Sequence, residues 1–410
     1  MGSDSARNAV VLSGGGARGA YEAGVLYYLV ERLPAYLGKP VRFQIISGTS
    51  VGAIHACYLA AWAGEAGALE ALLAIWRGFE IGKAFRLSVR DLVALPAKLF
   101  GGRARTSPVE PEDPRAPVRI PGLFDVSAIE RLILERIPWQ RIGENIARGE
   151  MDSLAIAATQ IKTGHTIIFV QNRSGRIDRW AYDPFVIAVP AELRAEHALA
   201  SAAIPFFFPV IRVDGAFYCD GSLRLNTPLS PALRLGADRV LVIGVRHRPE
   251  KGETPPPIPE SSIGNPAFLA GKILDSLLLD RIDYDTARLR LLNEILEDGR
   301  RTYGEEFLDR INEPIIRWRG SPYRIVRDFY IRPSEDLGVL AARCLGHLEP
   351  SRRPESWLSR AFLRLASRNT GGEADLLSYL FFDGCYASHL IELGIADAER
   401  QRDQLAAFFA

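Results

Sequence analysis

A serine hydroxyl attacks a carbonyl when a turn lifts it clear of its sheet, a base takes its proton, and N–H donors hold the developing negative oxygen. Gly48-Thr49-Ser50-Val51-Gly52 is a G-x-S-x-G. Apolar residues 43–47 precede it and the helical run Ala53–Ala63 follows. In that strand–turn–helix setting the motif reads as a nucleophile elbow, with the Val51 N–H beside the reacting oxygen. The bland reading of the same five residues is an ordinary strand–helix turn. A second turn, Gly14-Gly15-Gly16-Ala17-Arg18-Gly19, follows strand 8–13 and opens a helix. Its spacing also fits a dinucleotide loop. Such a loop wants an acid about 20 residues further on, yet no Asp or Glu occurs between Glu31 and Glu65. The turn does offer a row of backbone N–H groups at a helix N-terminus, suited to an oxyanion.

The serine still needs a base. None of the six histidines is compelling. His55 points down the helix leaving the elbow, His165 sits in a Lys-Thr-Gly-His turn, and His389 lies in a helical run where a surface histidine is expected. The other three are His197, His247 and His347. Asp220 does better. It stands in Tyr218-Cys219-Asp220-Gly221-Ser222, downstream of Ser201-Ala-Ala-Ile-Pro-Phe-Phe-Phe-Pro209, and burial beside aromatics would raise its basicity. Its bland reading is an Asp-Gly turn.

The glycine turn, the elbow, the 201–209 stretch and Asp220-Gly221, in this order, resemble the patatin-like phospholipase family over about residues 8–245. The resemblance implies a three-layer α/β/α fold with a mostly parallel central sheet. It also implies a Ser50–Asp220 dyad cleaving lipid carboxylic esters through an acyl-enzyme. Gly14, Gly15, Gly16, Ala17 and Val51 would form the oxyanion hole, supported by Arg18, Gly19, Gly48, Gly52 and Gly221. Ser222 departs from the family, which usually continues Asp-Gly with glycine or alanine. Arg18 reads either as a loop anchor or as a contact for a head-group phosphate. Two rivals stand beside this reading: a Ser–His–Asp esterase using one of the histidines, and a non-catalytic lipid-binding or scaffold protein that keeps the fold. No cofactor is implied and no ligand spacing points to a metal.

Strand–turn–helix repetition over strands 8–13, 43–47, 154–159, 166–171 and 239–245, with helices at 127–136 and 191–201, argues for α/β layers with a largely parallel sheet. Residues 81–122, with six prolines and net charge +4, read as a lid-like insertion. Residues 250–260 read as a Pro-rich linker. A mainly helical region over 261–410 follows, with helices near 266–298, 337–345, 354–368, 374–381 and 384–409 and one strand near 325–331.

With 410 residues, 48% apolar and 24% charged, the chain is neither disordered nor an integral membrane protein. Fifty basic against forty-nine acidic residues leave no excess to grip nucleic acid. Cys57, Cys219, Cys344 and Cys385 lie far apart along the chain with no C-x-x-C pair. They fit reduced thiols better than a disulfide frame or a zinc site. The start shows no secretory signal, so a cytoplasmic protein is expected. Peripheral membrane contact is expected through 351–368, whose arginines and apolar residues fall on opposite helix faces, or through 81–122. Leu274, Leu278, Ile282, Leu289, Leu292 and Leu296 on one helix face suit core packing, or a homo-oligomer as the sharper alternative.

Overall fold

Both faces of the central sheet carry apolar side chains, and this sets the architecture. In a computed structural model, residues 6–80, 86–87, 108, 117–120, 122, 124–177, 180, 184–248, 282–347 and 375–410 are described. The Pro-rich linker, the amphipathic segment 351–368 and most of 81–122 lie outside them.

The strands are β1 (Asn8–Leu12), β2 (Ile45–Thr49), β3 (Arg86–Leu87), β4 (Arg119–Ile120), β5 (Phe124–Asp125), β6 (Ser153–Gln160), β7 (Thr166–Asn172), β8 (Val186–Pro190), β9 (Val210–Val213), β10 (Ala216–Asp220), β11 (Arg239–Ile243) and β12 (Arg327–Ile331). The main sheet runs β12-β11-β1-β2-β6-β10-β9-β4, with β7 and β8 branching from β6. The strands β12, β11, β1, β2 and β6 are parallel. Pairing turns antiparallel at β6–β7, β6–β10, β10–β9 and β9–β4, so the sheet is mixed. In β1, Val10 and Leu12 enter the larger core while Ala9 and Val11 face a second one. This period-2 alternation of buried side chains gives each face a helical cover and makes the three-layer α/β/α fold.

Strand β6 is where the site is built. It pairs parallel with β2 over Ser153–Ala157 and then antiparallel with β10 over Ala158–Gln160. Two strands from distant parts of the chain therefore end side by side against Ala157 and Ala158. The β9–β10 hairpin that delivers Asp220 turns at Asp214-Gly215, both at positive φ (45° and 83°), which suits the twist of a two-residue hairpin.

The helices α1 (Gly19–Tyr27), α2 (Leu33–Leu37), α3 (Val51–Ala61), α4 (Ala68–Arg77), α5 (Ser127–Arg136), α6 (Gln140–Arg148), α7 (Ala195–Ser201), α8 (Leu229–Arg234), α9 (Ile282–Tyr303), α10 (Glu306–Arg319), α11 (Leu337–Gly346), α12 (Asp375–Leu380), α13 (Gly384–Arg400) and α14 (Arg402–Phe409) flank the sheet. The first helix is longer than a single α-helix: a π turn over Tyr28–Arg32 joins α1 to α2. The C-terminal elements are not set apart. β12 extends the sheet beside β11, and Leu377, Phe381, Tyr386, Leu390 and Phe408 share the core of Leu12, Tyr21 and Leu26. On α9, Ile282, Leu289 and Leu296 are buried, so the described part of that apolar face packs inward. Among the described residues no helix is long and apolar enough to cross a membrane.

Candidate active site

Ser50 sits between β2 and α3 with φ 56° and ψ −126°, a backbone state that a non-glycine residue holds only when its surroundings over-determine it. Those surroundings are visible. The Ser50 N–H donates to Ser201 Oγ at 2.9 Å, and Ser201 Oγ donates to the Ala157 carbonyl at 2.6 Å. A Cβ on Gly52 would lie 2.5 Å from the Leu12 carbonyl, so only glycine lets the elbow pack this tightly on the end of β1. Gly48 in turn lies directly against Gly52.

The Ser50 hydroxyl donates to Asp220 Oδ2 at 2.7 Å. The second oxygen, Oδ1, accepts the Ser222 N–H at 2.8 Å, which aims the carboxylate at the serine. Thr159 Oγ1 donates to the Asp220 carbonyl at 3.0 Å, and the Asp220 N–H donates to Ala203 O at 2.9 Å. Asp220 is fully buried. Burial pushes its pKa up to about 6, against the pull of the hydrogen bonds from Ser50 and Ser222. A carboxyl held there is a far better proton acceptor near neutrality than an exposed aspartate. Gly221 begins the turn after it, pressed on the Ala157 carbonyl.

None of the described histidines bonds to Ser50. His55 donates from Nδ1 to Glu22 Oε2 at 3.0 Å and accepts from Trp76 Nε1 at 3.0 Å. Burial drops its pKa to about 3, so the ring is neutral. His197 Nδ1 accepts the Arg194 N–H, His247 Nδ1 meets the Pro333 carbonyl, and His389 lies beside Cys344 and Cys385. His165 stacks edge-on with Phe185, and His347 ends α11.

The glycine turn lies alongside the serine: a Cβ on Gly14 would come 3.1 Å from Ser50 Cβ and 2.1 Å from Ser222 Oγ. The Gly14 N–H is bound to the Asn226 carbonyl at 3.1 Å, which removes it from the donors that sequence spacing suggests. Gly16 and Ala17 open a 3-10 turn, and Val51 opens α3; N–H groups at such positions have no acceptor in their own helix. Gly19, the first residue of α1, faces Val51. Gly16 needs its φ of +56° and has the Tyr379 carbonyl where a Cβ would stand. Arg18 is buried. Its Nε donates to Ser378 Oγ at 2.8 Å and its guanidinium lies 4.2 Å above the Tyr379 ring, so it ties the turn to the C-terminal region.

Over half of the chain, residues 10–233, matches the family described as patatin-like phospholipase. The chain belongs to the patatin-like phospholipase family. The matched span holds the glycine turn, the elbow and Asp220 together. A cGAMP-activated phospholipase of Pseudomonas aeruginosa (strain BWHPSA011 / Pa011) is 28% identical over 230 residues, 53% of this chain and 53% of that protein. The chain thus spans about half the length of the curated relative it matches. VipD from Legionella pneumophila overlaps 92% of this chain and 67% of its own at 14% identity and a TM-score of 0.32, a likeness too slight to argue from.

Beside Ser50 this patatin-like chain has a cavity of about 60 Å³, lined by Ile54, Ile129, Ile133, Leu199, Phe208 and Phe382 among others. Apart from Ser50 and Glu130, the lining side chains are apolar. Glu130 is paired with Arg119. Sequence reasoning quoted Ser201 inside a motif but gave it no role, and it missed Phe382 and Tyr379 altogether. No local spacing signals a residue brought to the site from over 300 positions away.

Proposed function

We propose that the chain hydrolyses carboxylic esters of lipids, with Ser50 as nucleophile and Asp220 as general base. The observation that carries this reading is the 2.7 Å hydrogen bond from a strained serine to a buried carboxylate. Asp220 Oδ2 takes the hydroxyl proton as Ser50 Oγ bonds to the acyl carbon. The carbonyl oxygen becomes an oxyanion, held by the amides of Gly15, Gly16, Ala17 and Val51. Collapse breaks the ester C–O bond, and the leaving alcohol takes the proton from Asp220. Water then attacks the acyl-enzyme and gives its proton to the same carboxylate. The second collapse releases the fatty acid and returns the proton to Ser50.

The apolar cavity suits the acyl chain near the carbonyl, and its small volume implies that a long chain must displace the side chains that line it. The 76%-exposed ring of Phe206, held at φ 69° in the loop that also supplies Ile204, Phe208 and Pro209 to the cavity, suits contact with the lipid surface.

Fluorophosphonate labelling followed by intact-mass measurement tests the reading. Wild type should carry one adduct, Ser50→Ala none, and Asp220→Ala far less. A folded wild type that stays unlabelled both in buffer and with lipid vesicles would leave the fold with a non-catalytic role. Undiminished labelling of Asp220→Ala together with collapse in a histidine variant would support the Ser–His–Asp alternative.

A further inference from the structure

Cys344, Cys385 and His389 come together outside the cavity beside Ser50. Cys385 and His389 are one turn apart on α13, so they share a face, and Cys344 meets them from α11. Their donor atoms form a nearly equilateral triangle. The two sulfurs are 3.8 Å apart, and His389 Nδ1 lies 3.7 Å from Cys344 Sγ and 4.0 Å from Cys385 Sγ. A tetrahedral zinc ion with Zn–S of about 2.3 Å and Zn–N of about 2.0–2.1 Å needs sulfur–sulfur edges of about 3.8 Å and sulfur–nitrogen edges of about 3.6 Å. The three donors thus occupy one face of such a tetrahedron to within a few tenths of an ångström.

A second observation points the same way. Asp383 Oδ1 accepts the Cys385 N–H at 2.9 Å, which caps α13. Its other oxygen, Oδ2, is buried without a hydrogen-bond partner among the described residues. Two thiols and an imidazole form a donor set that suits a borderline-soft dication, and the orphaned carboxylate stands two residues before Cys385 in the chain. Cys344 and Cys385 are far apart in the sequence, and folding brings them together.

We propose that Cys344, Cys385 and His389 bind one zinc ion, which pins α11 to α13. The fourth position is left to water. On binding, both thiols lose their protons to solvent, two in all. His389 uses its Nδ1 lone pair, so the proton now donated to the Cys385 carbonyl at 2.8 Å resides on Nε2 instead. The two charges of the ion are balanced by the two thiolates. The consequence lies at α13's entry, because residues 378–382 carry Ser378 and Tyr379 to Arg18 and Phe382 to the cavity beside Ser50. The ion would clasp the segment that braces the glycine turn.

The test uses the full chain, purified with its thiols reduced and stripped with a chelator, and cobalt(II) as the probe. One cobalt per chain is expected, with thiolate-to-cobalt charge-transfer absorption and visible bands of tetrahedral strength, all displaced by one equivalent of zinc. Cys385→Ser and His389→Gln should each weaken binding by about tenfold or more. His389 is exposed, so its variant is expected to fold, and circular dichroism checks this. Zinc should raise Tm in wild type and leave the variants unmoved. Absence of cobalt binding at micromolar concentrations in the reduced, folded chain overturns the proposal. So does binding that both variants retain. A native chain two mass units light, with a Cys344–Cys385 cross-linked peptide that reduction abolishes, overturns it in favour of a disulfide.

Discussion

The Ser50 hydroxyl and Asp220 Oδ2 are 2.7 Å apart, and two consecutive residues of one strand set that distance. On β6, Ala157 is in register with Thr49 at the end of β2, and Ala158 is in register with Asp220 at the end of β10. The pair is positioned by backbone ladders rather than by loops, so its geometry is pre-organised before any substrate arrives. Removing either member should cost at least about a thousandfold in acyl transfer, measured on a soluble ester with folding verified separately.

In the proposed mechanism, burial of Asp220 ties activity to pH. Its pKa stands near 6, and the base must be ionised to take the serine proton. The rate constant kcat/KM should therefore fall tenfold per pH unit below about 6. A profile flat down to pH 4.5 would mean that Asp220 is not the titrating base.

The same burial makes Asp220 a stability liability. Its folded pKa lies above the value of an unfolded aspartate, so the folded state prefers the protonated form. The penalty is absent below about pH 4, grows as pH rises, and is complete above about 6, where it is of order 3 kcal/mol. Asp220→Asn should be inactive yet more stable than wild type at pH 8, with the difference vanishing near pH 4. Denaturant unfolding at the two pH values reads this directly.

The candidate site was legible where its signals are local. Gly48 and Gly52 mark the elbow because close backbone approach leaves room for nothing larger, and strands such as 154–159 and 239–245 announce themselves as apolar runs. The strands β8, β9 and β10 escaped, although β8 and β10 are as long as β1 and Asp214-Gly215 is a hairpin cue at the tip of β9–β10. The support from Ser378, Tyr379 and Phe382, and the meeting of Cys344 with Cys385, have no sequence signature. They follow from how α12 and α13 dock, which only tertiary packing decides.

Backbone strain at Ser50 gives a separate expectation. With φ 56° and ψ −126°, the elbow stores about 1–3 kcal/mol. Ser50→Gly should recover part of this and exceed Ser50→Ala in stability, since both lose the hydroxyl but only glycine relaxes the turn. Equal unfolding midpoints for the two variants would remove strain from the account.

Gly16 links the glycine turn to the C-terminal region. A methyl group there would meet the Tyr379 carbonyl at 2.3 Å and sit at φ +56°, so Gly16→Ala must displace the turn or the docked segment. Loss of a positioned oxyanion donor costs about a hundredfold or more in kcat, and that loss should exceed any change in KM. Arg18→Lys keeps the charge but gives up the stacking on Tyr379 and the directed bond to Ser378. It should lower Tm and reproduce a milder form of the Gly16→Ala kinetics. If Arg18→Lys lowers Tm without touching kcat, the C-terminal segment supports the fold and not the chemistry proposed for the glycine turn.

Phe206 offers the most direct test of lipid contact. Its ring is exposed at a positive φ, while the neighbouring Phe208 N–H is bound to Ile204 O at 2.9 Å and Phe207 O accepts the Phe124 N–H at 2.8 Å. The loop is therefore fixed on both sides of the outward ring. Burying one phenylalanine in a lipid surface is worth about 1.5–3 kcal/mol, so Phe206→Asp should weaken partition to phospholipid vesicles by about tenfold or more. Hydrolysis of a short, soluble ester should stay near the wild-type rate, because Phe206 does not line the cavity at Ser50. Equal losses on vesicles and on the soluble ester would instead mean that the substitution has collapsed the 204–209 loop, and unchanged partition would move lipid contact to another part of the surface.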